Sequence, residues 1–244
     1  MIKMDIDIEK IRSTRHKCFS MTQEKLLEWV NEYKVESEAD TTGVKELEYY
    51  LVTYIVHEAI YLNADFRKIE DIYARIINDE WKQEDPTFPD VLKLEFLHVM
   101  HLMSEDLGHL DRALNIRSLI KTFVENNPDD LNAAYIYIHV LYDVMIETLM
   151  QKSLEINDYL ESIDSIIQKH KFSKSQLEGF ELSKNKMLTD YYSMVNPSKG
   201  FFHIDEMIRI ASIDKKIYNI NLIMDQLMSY GLRYTDEFES YIGV

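Results

Sequence analysis

The stretch Asp90–Pro128, DVLKLEFLHVMHLMSEDLGHLDRALNIRSLIKTFVENNP, decides the fold. In its first half Leu92, Phe96, Val99, Met103 and Leu107 recur every three or four residues, which lines one face of an α-helix with apolar side chains. In its second half Leu110, Ala113, Leu114, Arg117, Ile120 and Val124 follow nearly the same spacing. Gly108 falls between the two runs, and a residue without a Cβ enters the left-handed conformation that ends helices at little cost. So short a connection predicts two antiparallel helices packed on one another.

Working outward, the same unit recurs. Residues 44–63 pair with 64–83 and are ended by Pro86 and Pro89, which cannot donate within a helix. Asp129 or Asp130 caps residues 131–151, which pair with 153–170. Ser173, followed three residues later by Gln176, opens 175–195, and Asn196-Pro197 stops it. Residues 201–231 read as two helices, and Thr235 opens a short last one. Turns near Asn63, Gly108, Lys152 and Gly200 recur about every 45 residues, an interval typical of helical-repeat arrays.

Upstream, Ser20 and Gln23 have capping-box spacing ahead of a helix with Leu26, Leu27, Trp29, Val30 and Tyr33 on its apolar positions. Residues 5–17 suggest a shorter helix, and 35–43 form a polar, acidic loop. The expected organisation is an N-terminal helical segment and acidic loop, 1–43, before a repeat domain, 44–244.

Composition agrees with an all-α chain. Six glycines and four prolines in 244 residues are too few for the turns that hairpins and α/β loops need. The net charge of −16 opposes binding to phosphate backbones. The one basic cluster, Lys10, Arg12, Arg15, His16 and Lys17, reads as a solvated helix end rather than a nucleic-acid arm. One cysteine, Cys18, and no leader pattern point to a reducing, cytoplasmic setting. The longest apolar run, Tyr135–Leu141, is interrupted by His139 and is too short for a membrane span.

At Leu107-Gly108 with Ala113-Leu114, closed by Pro128, the chain resembles the core of a tetratricopeptide (TPR) repeat, in which small residues let two helices cross closely. Its proline arrives about a turn later than in that repeat. Tyr135–Ile167, then the segment from Phe172 to Gly179, then Pro197–Ile213 together resemble the C-terminal sensor domain of the Rgg-type, peptide-pheromone-responsive regulators of Gram-positive bacteria. That resemblance implies a TPR-like domain that dimerises and binds a short peptide on its concave side. The family's helix-turn-helix has no counterpart in residues 1–45, so the chain would be a stand-alone sensor or one separated from its DNA reader.

Candidate chemistry is sparse. Glu95, His98, His101 and Glu105 fall on one helical face and offer a set of metal-ligating types, but a di-iron bundle needs a second Glu-x-x-His helix. Asp106-x-x-His109 is the nearest match, and its histidine falls at a turn. A polar or groove-lining face is the preferred reading. His57-Glu58 lacks the second histidine of a zinc helix. His139 lies among aromatic and apolar neighbours, where a core histidine is the preferred reading over a general base. Phosphate loops and nucleophile elbows are missing from the sequence, so neither catalytic residues, nor metal, nor cofactor is expected.

Tyrosine and histidine recur on the first helix of each pair, which lines the groove in a TPR-like array. The expected contact residues are Tyr54, His57, Tyr61, His98, His101, Tyr135, His139 and Tyr142, with core packing as the competing reading. The sequence thus predicts an all-α array of antiparallel hairpins stacked as a TPR-like right-handed superhelix. Its expected function is non-catalytic binding of a short peptide or protein segment, as a homodimer, without membrane or nucleic-acid contact. The alternatives are an acidic inhibitor, immunity protein or antitoxin that neutralises a basic partner, and a metal-dependent helical enzyme.

Overall fold

In the computed structural model the described residues are 22–39, 44–60, 66–80, 83, 90–214 and 217–243. They form eleven helices: α1 Gln23–Ala39, α2 Val44–Ile60, α3 Phe66–Ile77, α4 Asp90–Asp106, α5 Leu110–Asn126, α6 Leu131–Met150, α7 Asn157–Lys169, α8 Lys174–Val195, α9 Pro197–Asp214, α10 Ile217–Arg233 and α11 Thr235–Ile242. The fold is all-α, and the chain divides into two compact units, 1–128 and 129–244. Residues 35–39, expected in the acidic loop, instead continue α1. Helix α1, expected outside the repeats, packs against α2 and belongs to the first unit. The Ser20 cap and the helix expected at 5–17 lie outside the described residues.

In the first unit α4 and α5 pack as the hairpin the sequence indicated, and α4 also receives α2 and α3. Leu92, Phe96 and Met103 are enclosed, and so are Leu94, Leu97 and Met100 beyond the expected stripe. A helix covered by several neighbours must be apolar on more than one face. In α5 the enclosed line is Ala113, Ile116 and Ile120, whereas Leu110 and Leu114 are exposed.

The hairpin turns on Gly108, at φ +72°. Gly108 N–H donates to Glu105 O at 2.9 Å and His109 N–H to Ser104 O at 2.7 Å, the paired bonds that close a helix around a left-handed residue. The same closure recurs after α6, where Lys152 takes φ +60° and Lys152 and Ser153 donate to Leu149 O and Thr148 O.

The second unit is built around α6. Asp130 caps it by accepting from Asn132 N–H at 2.8 Å and Ala133 N–H at 3.1 Å. Nine of its residues are buried, among them Ala134, Ile138, Tyr142 and Met145, which pack with Ile163 of α7 and Phe180 and Met187 of α8. By length and composition α6 meets the requirement for a membrane span, and half of that stretch is buried inside the protein. A second core joins Leu182 of α8 to Phe201, Ile204 and Met207 of α9 and to Ile223 and Tyr230 of α10. Helix α8 therefore serves both cores.

Candidate functional site

Tyr135 and His139 stand one turn apart on α6, and both are half-buried. Their rings meet edge to face at 4.7 Å, and each touches Phe180 of α8, at 5.6 and 5.8 Å. Phe172 closes the group against Phe180 at 5.1 Å. These separations are those of rings in mutual contact. Phe172 and Phe180 are buried, and Tyr135 and His139 beside them are partly exposed.

Continuing along the same line of α6, Ile146 and Met150 are 36% and 78% exposed. Steps of four and seven residues keep these side chains in register with Tyr135 and His139. Eleven of the twenty residues of α6 are not buried, and Tyr135, His139, Ile146 and Met150 are those that share this line, with the enclosed Tyr142 between them.

Of the other expected contact residues, Tyr142 is enclosed, and its hydroxyl donates to Phe180 O at 3.0 Å. Burial, with the Glu181 and Asp164 carboxylates adding to it, raises its phenol well above the ordinary range. Its role is to fasten α6 to α8. His98 is buried and His101 fully so, which removes both from an open face. The side chains of Tyr54 and His57, and the whole of Tyr61, lie outside the described residues.

His101 instead joins a polar group within the α4–α5 hairpin. Arg117 Nε donates to His101 Nε2 at 2.7 Å, and Arg117 Nη2 donates to Glu105 Oε1. His101 Nε2 and Glu105 Oε1 are 2.9 Å apart. Burial pushes the Glu105 carboxyl up, but His101 and Arg117 together outweigh it and hold the group below its ordinary value. Arg117, which the periodicity placed on the apolar stripe of α5, faces α4 because these two partners receive its charge. The sequence marked His101 and Glu105 as possible ligands, but gave no sign that a cation on the next helix engages both.

A second polar group escaped sequence reading. His203 of α9 bonds through Nδ1 to Asn185 Oδ1 of α8 at 2.9 Å, and Asn185 Nδ2 donates to Glu181 O at 2.9 Å. Since the amide nitrogen is committed as donor, Oδ1 accepts and His203 Nδ1 carries the proton. Tyr192 stacks on the imidazole at 5.2 Å, and the Lys199 ammonium lies 5.5 Å from the Tyr192 ring centre. The only available signal was a polar Asn185 at a core-facing position of α8.

The Ser104, Thr148 and Thr189 hydroxyls donate to main-chain carbonyls one turn back, as helix side chains do, and are not aligned as nucleophiles. The polar groups of these two clusters join helices within their own hairpins. No protein family, curated protein or solved structure matches the chain.

Proposed function

We propose that the chain is a non-catalytic binding module whose hairpins, stacked in the manner of a TPR-like array, present α6 to a short peptide or an exposed protein segment. The supporting observation is that the uncovered side of α6 carries Tyr135 and His139, partly exposed, in register with the exposed Ile146 and Met150. Apolar side chains left at the surface in one row mark contact sites, and tyrosine and histidine beside them add hydrogen bonding to ring contact. A peptide sensor acting as a homodimer, as the sequence resemblance implies, is the form this proposal takes.

The test is selection of short random peptides displayed against the full chain, followed by calorimetry with the enriched peptide. His139→Ala and Met150→Glu are each expected to weaken binding by about tenfold while leaving the helical circular dichroism unchanged. Failure to enrich any peptide, or wild-type affinity in both variants, would remove the proposal.

A further inference from the structure

A different helix carries a second open row. On α10, Ile223, Tyr230 and Gly231 face inward. Met224, Met228 and Leu232, spaced by four, form another line that is 49%, 60% and 81% exposed. A surface helix ordinarily shows solvent its polar side. Here an apolar line is left open beside the packed one.

The chemistry next to this row is acidic. Phe238 of α11 lies against Gly231, where an added Cβ would meet its ring at 3.2 Å, so α11 is held beside the row. Thr235 follows Leu232 by three residues, and α11 brings Asp236, Glu237 and Glu239 without a single Lys, Arg or His. Asp236 and Glu239 are exposed. Arg233 is the one cation at this end of α10.

We infer that the Met224–Met228–Leu232 row with the carboxylates of α11 is a docking surface for a basic amphipathic helix of a partner protein. The apolar face of that helix covers the row, and its Lys and Arg side chains reach α11. Three features select this occupant. The row spans about 12 Å, matching a little over two turns of a partner helix. Two of its three members are methionines, whose unbranched side chains adapt to varied apolar faces. The adjacent helix and the whole chain, at −16, are acidic, which speeds capture of a basic segment. This surface is independent of α6, and it gives a location to the basic-partner reading that the charge suggested.

The test uses the full chain and a designed fluorescent helix about 14 residues long with leucines on one face and lysines on the other, followed by anisotropy. A peptide of identical composition but scrambled order is the control. Wild type is expected to prefer the amphipathic helix, with affinity that falls as salt rises. Met228→Gln with Leu232→Gln is expected to weaken binding about tenfold. The neutralised α11, Asp236→Asn with Glu237→Gln and Glu239→Gln, is expected to weaken it and flatten the salt dependence, with circular dichroism retained in both variants.

Equal binding of the scrambled peptide, no binding, or indifference to both sets of substitutions would overturn the inference. So would a dimer, seen by sedimentation, that the Met228 and Leu232 changes dissociate, since the occupant would then be a second copy. His139→Ala separates the two surfaces: loss of the basic helix in that variant alone would move it to α6, sinking this inference while sparing the proposed function.

Discussion

The ring of Tyr230 lies so close over Gly200 that an added Cβ would meet its Oη at 2.0 Å and its Cζ at 2.4 Å. From there the Tyr230 hydroxyl donates to Pro197 O at 2.9 Å, and Tyr234 one turn later donates to Ser193 O at 2.6 Å. Tyr230 of α10 and Tyr234, just past its end, therefore hold both sides of the Asn196–Pro197 corner between α8 and α9. Gly200→Ala is expected to lower stability by about 2 kcal/mol in urea unfolding, as overpacking does. Combined with Tyr230→Ala its cost should shrink, because the two residues occupy one contact. An unperturbed Gly200→Ala protein would show that the close approach is absent.

Two helix ends of identical geometry carry different residues. Gly108 and Lys152 both close a helix at positive φ, but only lysine bears the steric cost of a Cβ there. No neighbouring atom lies within 4 Å of an added Cβ at Gly108, so Gly108→Ala isolates the backbone strain. Thermal unfolding should show Gly108→Ala less stable and Lys152→Gly more stable, each by about 1 kcal/mol. Matching signs for the two changes would refute this account of the turns.

Arg117 ties α5 to α4 through His101 and Glu105, with side-chain exposures of 11% for Arg117 and 20% for Glu105. Removing one member strands its partners away from water. Arg117→Leu should cost about 3 kcal/mol, and adding Glu105→Leu should recover part of it. A single variant within about 0.5 kcal/mol of wild type would mean that the cluster is not holding the hairpin.

The two polar clusters respond to acid in different windows. Burial lowers the proton affinity of His203, with Glu206 opposing it. Because the unfolded ring binds its proton more tightly, this contribution is complete above about pH 6.5 and is lost as pH falls from there toward the folded value. Glu105, also lowered, contributes above its ordinary value of 4.5 and loses that contribution as pH falls through its folded value. In His203→Gln, stability should fall less than in wild type on going from about pH 7 to about pH 5.5. An imidazole resonance of His203 titrating at or above about 6.5 would contradict this.

The sequence made the punctuation of the fold legible because punctuation is local. Ser173 and Gln176 form the reciprocal capping box expected of them, at 3.3 and 2.9 Å, and Gly108, Asp130 and Asn196-Pro197 mark true helix ends. Partnership between helices was harder to read. Periodicity placed Leu110 and Leu114 on the buried stripe of α5, yet both are exposed, and Ala113, Ile116 and Ile120 are the residues enclosed. Tyr142 and His139 looked alike as ring-bearing residues on one helix. Which of them reaches solvent depends on Phe180, distant in sequence, whose carbonyl binds Tyr142 and whose ring supports His139.

The most direct test of the binding account is hydrogen–deuterium exchange on the full chain, with and without the selected peptide. The expected result is protection concentrated in residues 131–150, lost in the His139→Ala variant. Protection confined to other helices, or none at saturating peptide, would contradict the assignment of α6 as the binding face.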